Sequence, residues 1–445
     1  MSNNRTIFGV ILFGGTIGGS LNRDARLIRE LVRRNYEVHI FWAKDRTRDM
    51  DLDHPNIFHH WLFHGGRYGS PLGDIKALRG INEVIGRLID AIIPVKIRKQ
   101  FLGKHPKTIE RLIYAWVKLT CNGVEQDKVA VQRFARKLTK HRITHVLPIL
   151  SLYCPWVIAA REYVQHHVSY LVTFQGYEVC ADYARHLGLE KELYHCLYDV
   201  VEQSEYPAIA VSEDYKKRIH DEIGIPLNNI TTIPPGIPKP HYVAHVNAIH
   251  SVQKLFTEFD KHIPLITYLG RCDAEKGIDL LLYAVAILKR KGVAVQLVLC
   301  GPTMYGGVYS QACKEISDRL RIPVFWSESV SDEIRTDLYV ASSCIVYPSI
   351  QREPFGMVPV EAMSLGTPVI VPNMGGVADV IESDEFCGGI RFKSCDTNSL
   401  ADALEKIICD HELHRKLSED GPKVAEYYTV EKLADRVLQH LGLSE

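Results

Sequence analysis

The sequence lacks paired cysteines and any excess of one charge. Its eleven cysteines are scattered singly from Cys121 to Cys409, with an odd total and without a CxxC pair. This pattern is typical of reduced thiols in the cytoplasm and argues against a disulfide framework or a zinc site. The 53 basic and 53 acidic residues cancel, so no global field favours nucleic acid as a partner. We therefore expect a cytoplasmic protein that does not bind nucleic acid.

Long apolar runs are absent as well. Every run falls far short of the roughly 20 residues that a membrane-spanning helix needs. Residues 1–6 are polar and lead directly into a strand-like run at residues 7–13. They lack the basic region and the cleavage site of a signal peptide. We expect neither secretion nor insertion into a membrane.

Length and the alternation of patterns indicate two α/β domains. A chain of 445 residues exceeds one ordinary hydrophobic core, and 46% apolar with 24% charged residues is a globular composition. Short β-branched runs alternate with helical patterns from residues 7–13 to 208–211, and again from 264–269 to 369–371. Such alternation is typical of βαβ units with a parallel sheet. Each half is therefore predicted to be Rossmann-like.

Prolines mark the predicted domain boundary. Four of the seven residues at 234–240 are proline, which prevents a helix and disfavours a central strand. We assign residues 1–238 to an N-terminal domain and residues 239–425 to a C-terminal domain. Residues 426–445 contain an apolar helical period and are assigned to a C-terminal helix.

One stretch of the N-terminal half is strongly basic. Residues 76–118 contain ten Lys or Arg and three Asp or Glu, and their isoleucines recur at helical spacing. The pattern predicts an amphipathic helical insertion that packs on the N-terminal domain and leaves a solvated basic face. A second interpretation is weak peripheral contact with the anionic inner surface of the membrane, or with an anionic acceptor.

Two cations in the C-terminal half follow a predicted strand. Arg271 ends the run YLGR, and Lys276 stands immediately before a predicted helix. Ligands of open α/β sheets bind at the carboxyl edge of the strands. The planar fork of Arg and the mobile charge of Lys suit the two phosphates of a diphosphate. The alternative is a pair of ordinary surface cations in a strand-to-helix loop.

The most specific motif is EPFGMVPVEAM at residues 353–363. A strand runs into a loop there and the loop becomes a helix, so its first amides lack helical partners and favour an anion. Glu353 precedes the helix, whereas Glu361 lies in its first turns. Each carboxylate can accept two hydrogen bonds from the hydroxyl groups of a sugar or ribose. For Glu361 the alternative is stabilisation of the helix dipole.

These motifs resemble the retaining GT-B glycosyltransferases of sequence family four, the group 1 glycosyl transferases. The resemblance rests on Arg271 with Lys276, on the E-x7-E spacing of Glu353 and Glu361, and on GTPVIVPNMGG at residues 366–376. It implies an α/β fold of GT-B architecture, in which two Rossmann-like domains face each other across a cleft. It also implies transfer of a hexosyl group from a nucleotide-diphosphate sugar to a hydroxyl acceptor. UDP-hexose is the first expectation for the donor and GDP-mannose the second.

The resemblance assigns roles to the charged residues. Arg271 and Lys276 match the basic pair that binds the donor diphosphate. Glu361 matches the acid that binds ribose, and Glu353 matches the acid that holds hydroxyls of the donor sugar near the reacting face. The implied catalytic set is therefore Glu353, Arg271 and Lys276.

Backbone groups complete the implied donor site. The amides of Phe355, Gly356 and Met357 match those that meet the sugar and the phosphate. Gly14 and Gly15 match the glycine loop that follows the first strand of the N-terminal domain.

One departure from the family pattern concerns Gln175. Many relatives carry a histidine near the donor sugar where this chain reads TFQGYE at residues 173–178. Glutamine donates and accepts hydrogen bonds but cannot act as a base. Gln175 is therefore expected to contact a sugar hydroxyl or the acceptor. The family's C-terminal helix returns to the N-terminal domain, and residues 426–445 are expected to do the same.

Retention of configuration requires chiefly that the leaving group be stabilised. Arg271, Lys276 and the helix end supply that stabilisation. No nucleophile is identifiable, so the resemblance favours an oxocarbenium-like path in which the departing phosphate accepts the acceptor's proton. This scheme needs no metal and no other cofactor.

Two sequence motifs resemble those of metal-binding sites. Asp51 and Asp53 form a DxD-like pair, but they lie in the N-terminal half, away from the donor motifs. His59, His60 and His64 lack a helical ligand spacing and are expected to pack or to face solvent. Neither motif is expected to hold a metal.

Three other classes of protein share parts of the pattern. A nicotinamide oxidoreductase also uses Rossmann-like domains, but GGTIGG at residues 14–19 does not fit G-x-G-x-x-G. A non-catalytic sugar-nucleotide-binding module is favoured only by Gln175. A sugar-nucleotide epimerase or phosphorylase uses the same architecture. Donor turnover with a panel of acceptors separates an enzyme from a binding module.

Overall fold

The computed structural model describes residues 6–12, 19–43, 51–62, 128–177, 181–182, 184–185, 188–303 and 307–443. Four of the predictions concern Gly14, Gly15, His64 and the basic stretch at residues 76–118, which lie outside the described residues.

Two compact units make up the described chain. Unit 1 contains the described residues up to Ala210, then Lys216–Ile233, and those from Ala434 onward. Unit 2 contains Val211–Tyr215 and Pro234–Leu433. The main division thus falls at the start of the proline-rich segment.

Parallel sheets form the centre of unit 1. Among the described residues, one sheet has the order β3-β2-β1-β4-β5 and a second has the order β6-β7-β8. Strand β1 is buried along its whole length, as expected for a parallel sheet with both faces covered. The strands are β1 (Ile7–Leu12), β2 (Glu37–Trp42), β3 (Ile57–Trp61), β4 (His145–Pro148), β5 (Ser169–Tyr170), β6 (Thr173–Phe174), β7 (Ala208–Ala210) and β8 (Ile230–Thr232).

Helices pack against these sheets through their apolar faces. They are α1 (Gly19–Arg33), α2 (Lys128–Lys140), α3 (Cys154–Arg161), α4 (Glu190–Glu202) and α5 (Glu213–Ile223), with single 3-10 turns at Ser151–Tyr153 and Leu227–Asn229. Phe134 of α2 meets Phe41 of β2 edge to face, with ring centroids 4.9 Å apart. Such an aromatic pair contributes about 0.5–1.5 kcal/mol beyond the burial of its surface.

Unit 2 contains a six-stranded parallel sheet. Its order is β11-β10-β9-β12-β13-β14. Strands β10 and β11 therefore lie on one side of β9, and the later strands β12, β13 and β14 lie on the other side. The crevice between the carboxyl ends of β9 and β12 is the switch point, where ligands of such sheets bind. The strands are β9 (Leu265–Leu269), β10 (Gln296–Cys300), β11 (Val324–Ser327), β12 (Cys344–Val346), β13 (Val369–Pro372) and β14 (Gly389–Phe392).

Helices cover the sheet of unit 2. They are α6 (His245–Leu255), α7 (Ile278–Arg290), α8 (Val308–Leu320), α9 (Asp332–Ala341), α10 (Met357–Ser364), α11 (Gly376–Asp379), α12 (Thr397–Cys409) and α13 (His411–Ala425), with 3-10 turns at Ala274–Lys276 and Glu426–Tyr428. The last helix, α14 (Val430–His440), begins in unit 2 and belongs to unit 1 from Ala434 onward. Ser331, Asp396 and Asp410 begin α9, α12 and α13, and each side chain accepts an amide hydrogen bond. Such caps contribute about 1 kcal/mol each.

The core of unit 2 joins the sheet to two helices. Ile266 of β9 and Leu299 of β10 pack in one buried cluster with Leu281 of α7 and Leu404 of α12. Full burial of each such side chain stabilises the fold by about 1.5–3 kcal/mol. This packing holds the ends of β9 and β12 in fixed positions.

The end of the chain belongs to unit 1. Asp435 accepts a hydrogen bond from Arg34 of α1 at 2.6 Å, and His440 Nε2 lies 2.8 Å from the carbonyl oxygen of Pro207. Within the described part of the chain, every helix is too short or too polar to cross a bilayer.

Candidate functional site

The switch point of unit 2 brings two loops together. The loop after β9 leads through a 3-10 turn to Gly277, and the loop after β12 leads to Glu353. The amide of Ile350 donates to the carbonyl oxygen of Glu275 at 3.0 Å, which ties the loops to each other. Gly277 has a φ of 64°, and a Cβ there would lie 2.3 Å from the carbonyl oxygen of Pro348. Only glycine therefore permits this approach of the two loops.

Lys276 and Glu353 meet across the switch point. The Lys276 ammonium donates a hydrogen bond to Oε1 of Glu353. The hydroxyl of Ser349 donates to the same oxygen at 2.9 Å. Lys276 is only 9% exposed, and its Nζ lies 5.7 Å from the ring centroid of Tyr347. The two residues, which were assigned separate roles, form one charge-assisted pair.

The surroundings of Lys276 keep it charged. Burial alone would lower the pKa of Lys276, but Tyr347 and the Glu353 carboxylate raise it above its ordinary value. Burial, followed by the charge of Glu353, raises the pKa of Tyr347 to about 12. At neutral pH the site therefore contains a buried ammonium beside a neutral phenol.

Arg271 lies at the more open side of the site. Its guanidinium is paired with Asp273 at 2.6 Å and with Glu275 at 2.7 Å. Asp273 is buried, whereas the side chain of Arg271 is 31% exposed. The two acids orient the guanidinium at the carboxyl edge of the sheet, where ligands of open α/β sheets bind.

A pair of glycines after β13 holds the loop that carries Glu353. The amide of Gly376 donates to the carbonyl oxygen of Glu353 at 2.8 Å. A Cβ on Gly376 would lie 2.1 Å from the carbonyl oxygen of Pro354, and a Cβ on Gly375 would lie 2.7 Å from that of Glu353. The hydroxyl of Ser212 donates to the carbonyl oxygen of Pro354 at 2.6 Å. The position of Glu353 thus depends on close backbone packing.

Helix α10 begins beside this loop. It starts after Gly356 and has no side-chain cap, so its first amides, from Met357 onward, lack helical acceptors. Phe355 is buried and meets Tyr428 edge to face, with ring centroids 5.5 Å apart. An uncapped helix start of this kind favours an anion.

Glu361 lies further along α10 and has its own partners. Its Oε2 accepts a hydrogen bond from the hydroxyl of Tyr339 at 3.0 Å, and Arg335 Nε lies 3.9 Å away. Burial opposes the charge of Arg335, but Glu361 raises the pKa of that guanidinium above its ordinary value. Tyr339 and Arg335, both on α9, were not predicted, because nothing in the local sequence connects them to Glu361.

Gln175 lies in unit 1, directly after β6. Its Nε2 donates to Oδ2 of Asp24 at 3.2 Å and to the carbonyl oxygen of Ile149 at 3.2 Å. Asp24 is buried and paired with Arg23. Burial raises the pKa of Asp24, although Arg23 and Gln175 act in the opposite direction. These contacts occupy both amide hydrogens, so they orient the carbonyl oxygen of Gln175 away from Asp24.

The DxD-like pair has no metal-site geometry. Asp51 and Asp53 are exposed residues of unit 1, and Asp53 lies 3.7 Å from Nε2 of His59. Among the described residues, no group of three or more metal-ligating side chains includes either aspartate.

Sequence comparison relates the C-terminal half to a known family. Residues 253–424 match the family model described as glycosyl transferases group 1, and this range contains every predicted site residue of unit 2. The D-inositol 3-phosphate glycosyltransferase of Rhodococcus opacus is 31% identical over 186 residues, which are 40% of this chain and 41% of that protein. The chain spans about half the length of the curated relatives it matches.

Solved structures resemble the whole chain. The sucrose-phosphate synthase of Thermosynechococcus elongatus aligns with a TM-score of 0.71 at 20% identity, covering 98% of each chain. Anabaena HepE in complex with UDP and glucose aligns with a TM-score of 0.67 at 14% identity, covering 98% of this chain and 99% of that chain. The predicted α/β fold of GT-B type, with its Rossmann-like domains, is confirmed.

Proposed function

We propose, from the premise that residues 253–424 belong to the group 1 glycosyl transferases, that the chain is a retaining hexosyltransferase. It moves a hexosyl group from a nucleotide-diphosphate sugar to a hydroxyl acceptor. The donor site lies in unit 2, at the switch point between β9 and β12.

One observation carries this proposal: the Lys276–Glu353 pair beside the uncapped start of α10. A diphosphate needs cations and amide donors, whereas a sugar needs acceptors for its hydroxyl groups. The switch point supplies both kinds of group within hydrogen-bonding distance of each other. A site for a simple anion would have no use for Glu353, which would repel the ligand.

Donor binding changes the partners of Lys276. As the diphosphate enters, the ammonium shares its three N–H donors between Glu353 and a phosphate oxygen. Glu353 then accepts hydrogen bonds from donor-sugar hydroxyls with its remaining lone pairs. Arg271 contacts the diphosphate from the more exposed side, and Glu361 accepts hydrogen bonds from the ribose.

The reaction breaks the bond between the anomeric carbon and the phosphate oxygen. The electron pair stays on the departing diphosphate, where Lys276, Arg271 and the α10 amides stabilise the growing charge. The acceptor oxygen attacks the oxocarbenium-like carbon from the same face, and its proton passes to the departing phosphate. Configuration is thereby retained. The route uses no enzyme nucleophile, no metal and no other cofactor.

UDP-hexose is the proposed donor, with GDP-mannose second. Anabaena HepE, which shares the fold, has been solved with UDP and glucose. This supports a uridine nucleotide for a site of the same architecture. We also propose a reducing, cytoplasmic location, since Cys272, Cys300, Cys313 and Cys344 are free buried thiols. Weak peripheral contact with an anionic membrane surface stays part of the proposal.

A nucleotide screen followed by a turnover assay tests the function. Thermal shifts with UDP, GDP and ADP should single out one nucleotide, because a ligand at 100 times its dissociation constant adds about 2.7 kcal/mol to stability. The matching hexose donor should then be consumed with a panel of hydroxyl acceptors, and the product should keep the donor's anomeric configuration. Binding without consumption would instead indicate a sugar-nucleotide-binding module, and an inverted product would refute retention.

A further inference from the structure

Three histidines of unit 1 come together outside the proposed donor site. His39 lies on β2, His60 on β3, and His141 in the turn after α2. One ligand nitrogen from each lies within 4.8 Å of the other two. Because His141 follows the end of α2 and precedes β4, it lies at the amino end of the strands. Ligands of open α/β sheets bind at the opposite edge.

The hydrogen bonds of His39 decide which of its nitrogens is available. Its Nε2 lies 2.9 Å from Oε1 of Glu37, so this nitrogen carries the proton and donates to the carboxylate. Its Nδ1 therefore carries a lone pair, which accepts a hydrogen bond from Nε2 of His60 at 2.8 Å, and a metal ion would replace the proton of that bond. When one ring nitrogen of a histidine binds a metal, the N–H of the other ring nitrogen commonly donates to a carboxylate. This hydrogen bond fixes the ring and increases the basicity of the metal-binding nitrogen.

The rest of the cluster also suits a cation. His39 is buried, and His60 and His141 are half-buried, so the cluster is partly shielded from solvent. Lys137 is the neighbouring cation, and its ammonium donates to the carbonyl oxygen of Trp61 at 2.8 Å. Glu37 supplies the compensating negative charge.

Ring packing holds the three imidazoles against one another. The rings of His39 and His60 are stacked at 11°, and His141 is tilted against both, with ring centroids 4.5 and 4.9 Å away. A metal bound at about 2.0–2.1 Å to each nitrogen of a tetrahedron requires nitrogens about 3.3 Å apart. Metal binding therefore requires His39 and His60 to separate slightly from 2.8 Å and His141 to lie at a similar distance from both.

We propose that His39, His60 and His141 form a binding site for a divalent first-row transition metal, with Zn²⁺ as the ion that it suits best. Three imidazole nitrogens bind the ion and water completes a tetrahedron. The ion links β2, β3 and the end of α2, and it stabilises unit 1 without taking part in glycosyl transfer. The inference does not rest on the proposed function, and it replaces the expectation from the sequence that His60 takes no part in a metal site.

Cobalt binding to the full chain tests the site. The purified protein, freed of metal with a chelator, is titrated with Co²⁺ and then with Zn²⁺. We expect one Co²⁺ per chain with the visible absorption of a tetrahedral nitrogen site, and without the near-ultraviolet sulfur-to-cobalt band that cysteine ligands produce. Zn²⁺ should displace the Co²⁺ and raise the melting temperature.

Variants at the two half-buried histidines locate the binding. His60→Gln and His141→Gln should each abolish the visible band and weaken Zn²⁺ binding at least tenfold, in proteins whose circular dichroism is unchanged. His195→Gln is the matched control, because His195 is an exposed histidine that faces Asp199 on α4, and it should bind metal like the parent. If the His60→Gln variant does not fold, the visible Co²⁺ band of the His141→Gln variant alone tests the site. A parent that shows no visible Co²⁺ band, or a folded His141→Gln variant that keeps it, overturns the proposal.

Discussion

Lys276 and Glu353 are 77 residues apart in the chain, and their hydrogen bond connects the phosphate side of the proposed donor site to its sugar side. Each is buried enough that losing its partner leaves a poorly compensated charge. Substitution of either residue therefore has two effects, one on the ligand that it contacts and one on its partner.

Glu353→Gln should reduce turnover about a hundredfold or more, because the amide replaces the carboxylate that the resemblance assigns to the sugar hydroxyls. Affinity for the nucleoside diphosphate should stay nearly unchanged, since Lys276 is then free to turn fully towards phosphate. Steady-state kinetics and calorimetric titration measure the two quantities. Glu385→Gln, at an exposed position, is the control. A matching loss of nucleotide affinity would contradict this division of roles.

Lys276→Ala should weaken nucleotide binding and turnover together. Loss of a charge-assisted hydrogen bond to phosphate costs about 1.5–3 kcal/mol, which corresponds to a roughly tenfold to hundredfold weaker affinity. Arg391→Ala removes a surface cation paired with Glu382 and should leave binding unchanged.

The double variant Lys276→Ala/Glu353→Gln measures the coupling between the two residues. Its effect on stability should be smaller than the sum of the single effects, with an interaction of about 0.5–3 kcal/mol. Denaturant unfolding of the four proteins gives this value. Strict additivity would mean that the hydrogen bond contributes nothing in solution.

At the scale of elements, the loop before α10 is positioned by the turn between β13 and α11. Gly376 contacts the backbone of Pro354, and this contact sets the distance between Glu353 and the helix start. The local sequence predicts a glycine turn there but does not reveal which backbone lies against it.

Gly376→Ala should destabilise the protein by about 1–3 kcal/mol, because the added methyl group meets backbone that must shift. Turnover should fall as well, since Glu353 moves with that backbone. Gly307→Ala is a matched control: Gly307 has an ordinary φ of −80° and no atom within 4 Å of an added Cβ. Comparison of the unfolding midpoints and of kcat checks the prediction. Equal values for the two variants would show that the packing around Gly376 is not required.

At the scale of the whole molecule, the basic and acidic residues balance, so the charges that matter are those placed locally at the switch point. There Arg271 and Lys276 are the cations that we propose to bind a diphosphate, and each is paired with an acid. The histidine cluster belongs to unit 1 and has no part in this chemistry.

EDTA should therefore leave most of the activity when the assay is run well below the melting temperature. In the proposed mechanism side chains and helix amides neutralise the diphosphate, so that mechanism requires no metal at the donor site. Activity with and without the chelator measures this directly. If EDTA abolished the activity of protein that is still folded, and magnesium or manganese restored it, Asp51 and Asp53 would become candidate metal ligands.

Much of the architecture could be predicted from local patterns, because apolar periodicity and the positions of glycine and proline reflect short-range constraints. The strand predicted at residues 369–371 agrees with β13 within a residue of each end. Strands β3, β8, β11 and β14 were not predicted. Their burial is only partial and does not alternate cleanly, so they lack the signal that distinguishes a strand from a loop.

The sequence by itself determined two α/β series, a proline-rich segment between them, and the residue types that suit a diphosphate. Tertiary structure decided which of these residues meet. Lys276 with Glu353, Asp24 with Gln175, and His39 with His60 each join separate elements. The order of strands in a sheet brings such pairs together, and that order depends on long-range packing. Residues that are far apart in the chain therefore carry no local sign of contact, even where each belongs to a recognisable motif.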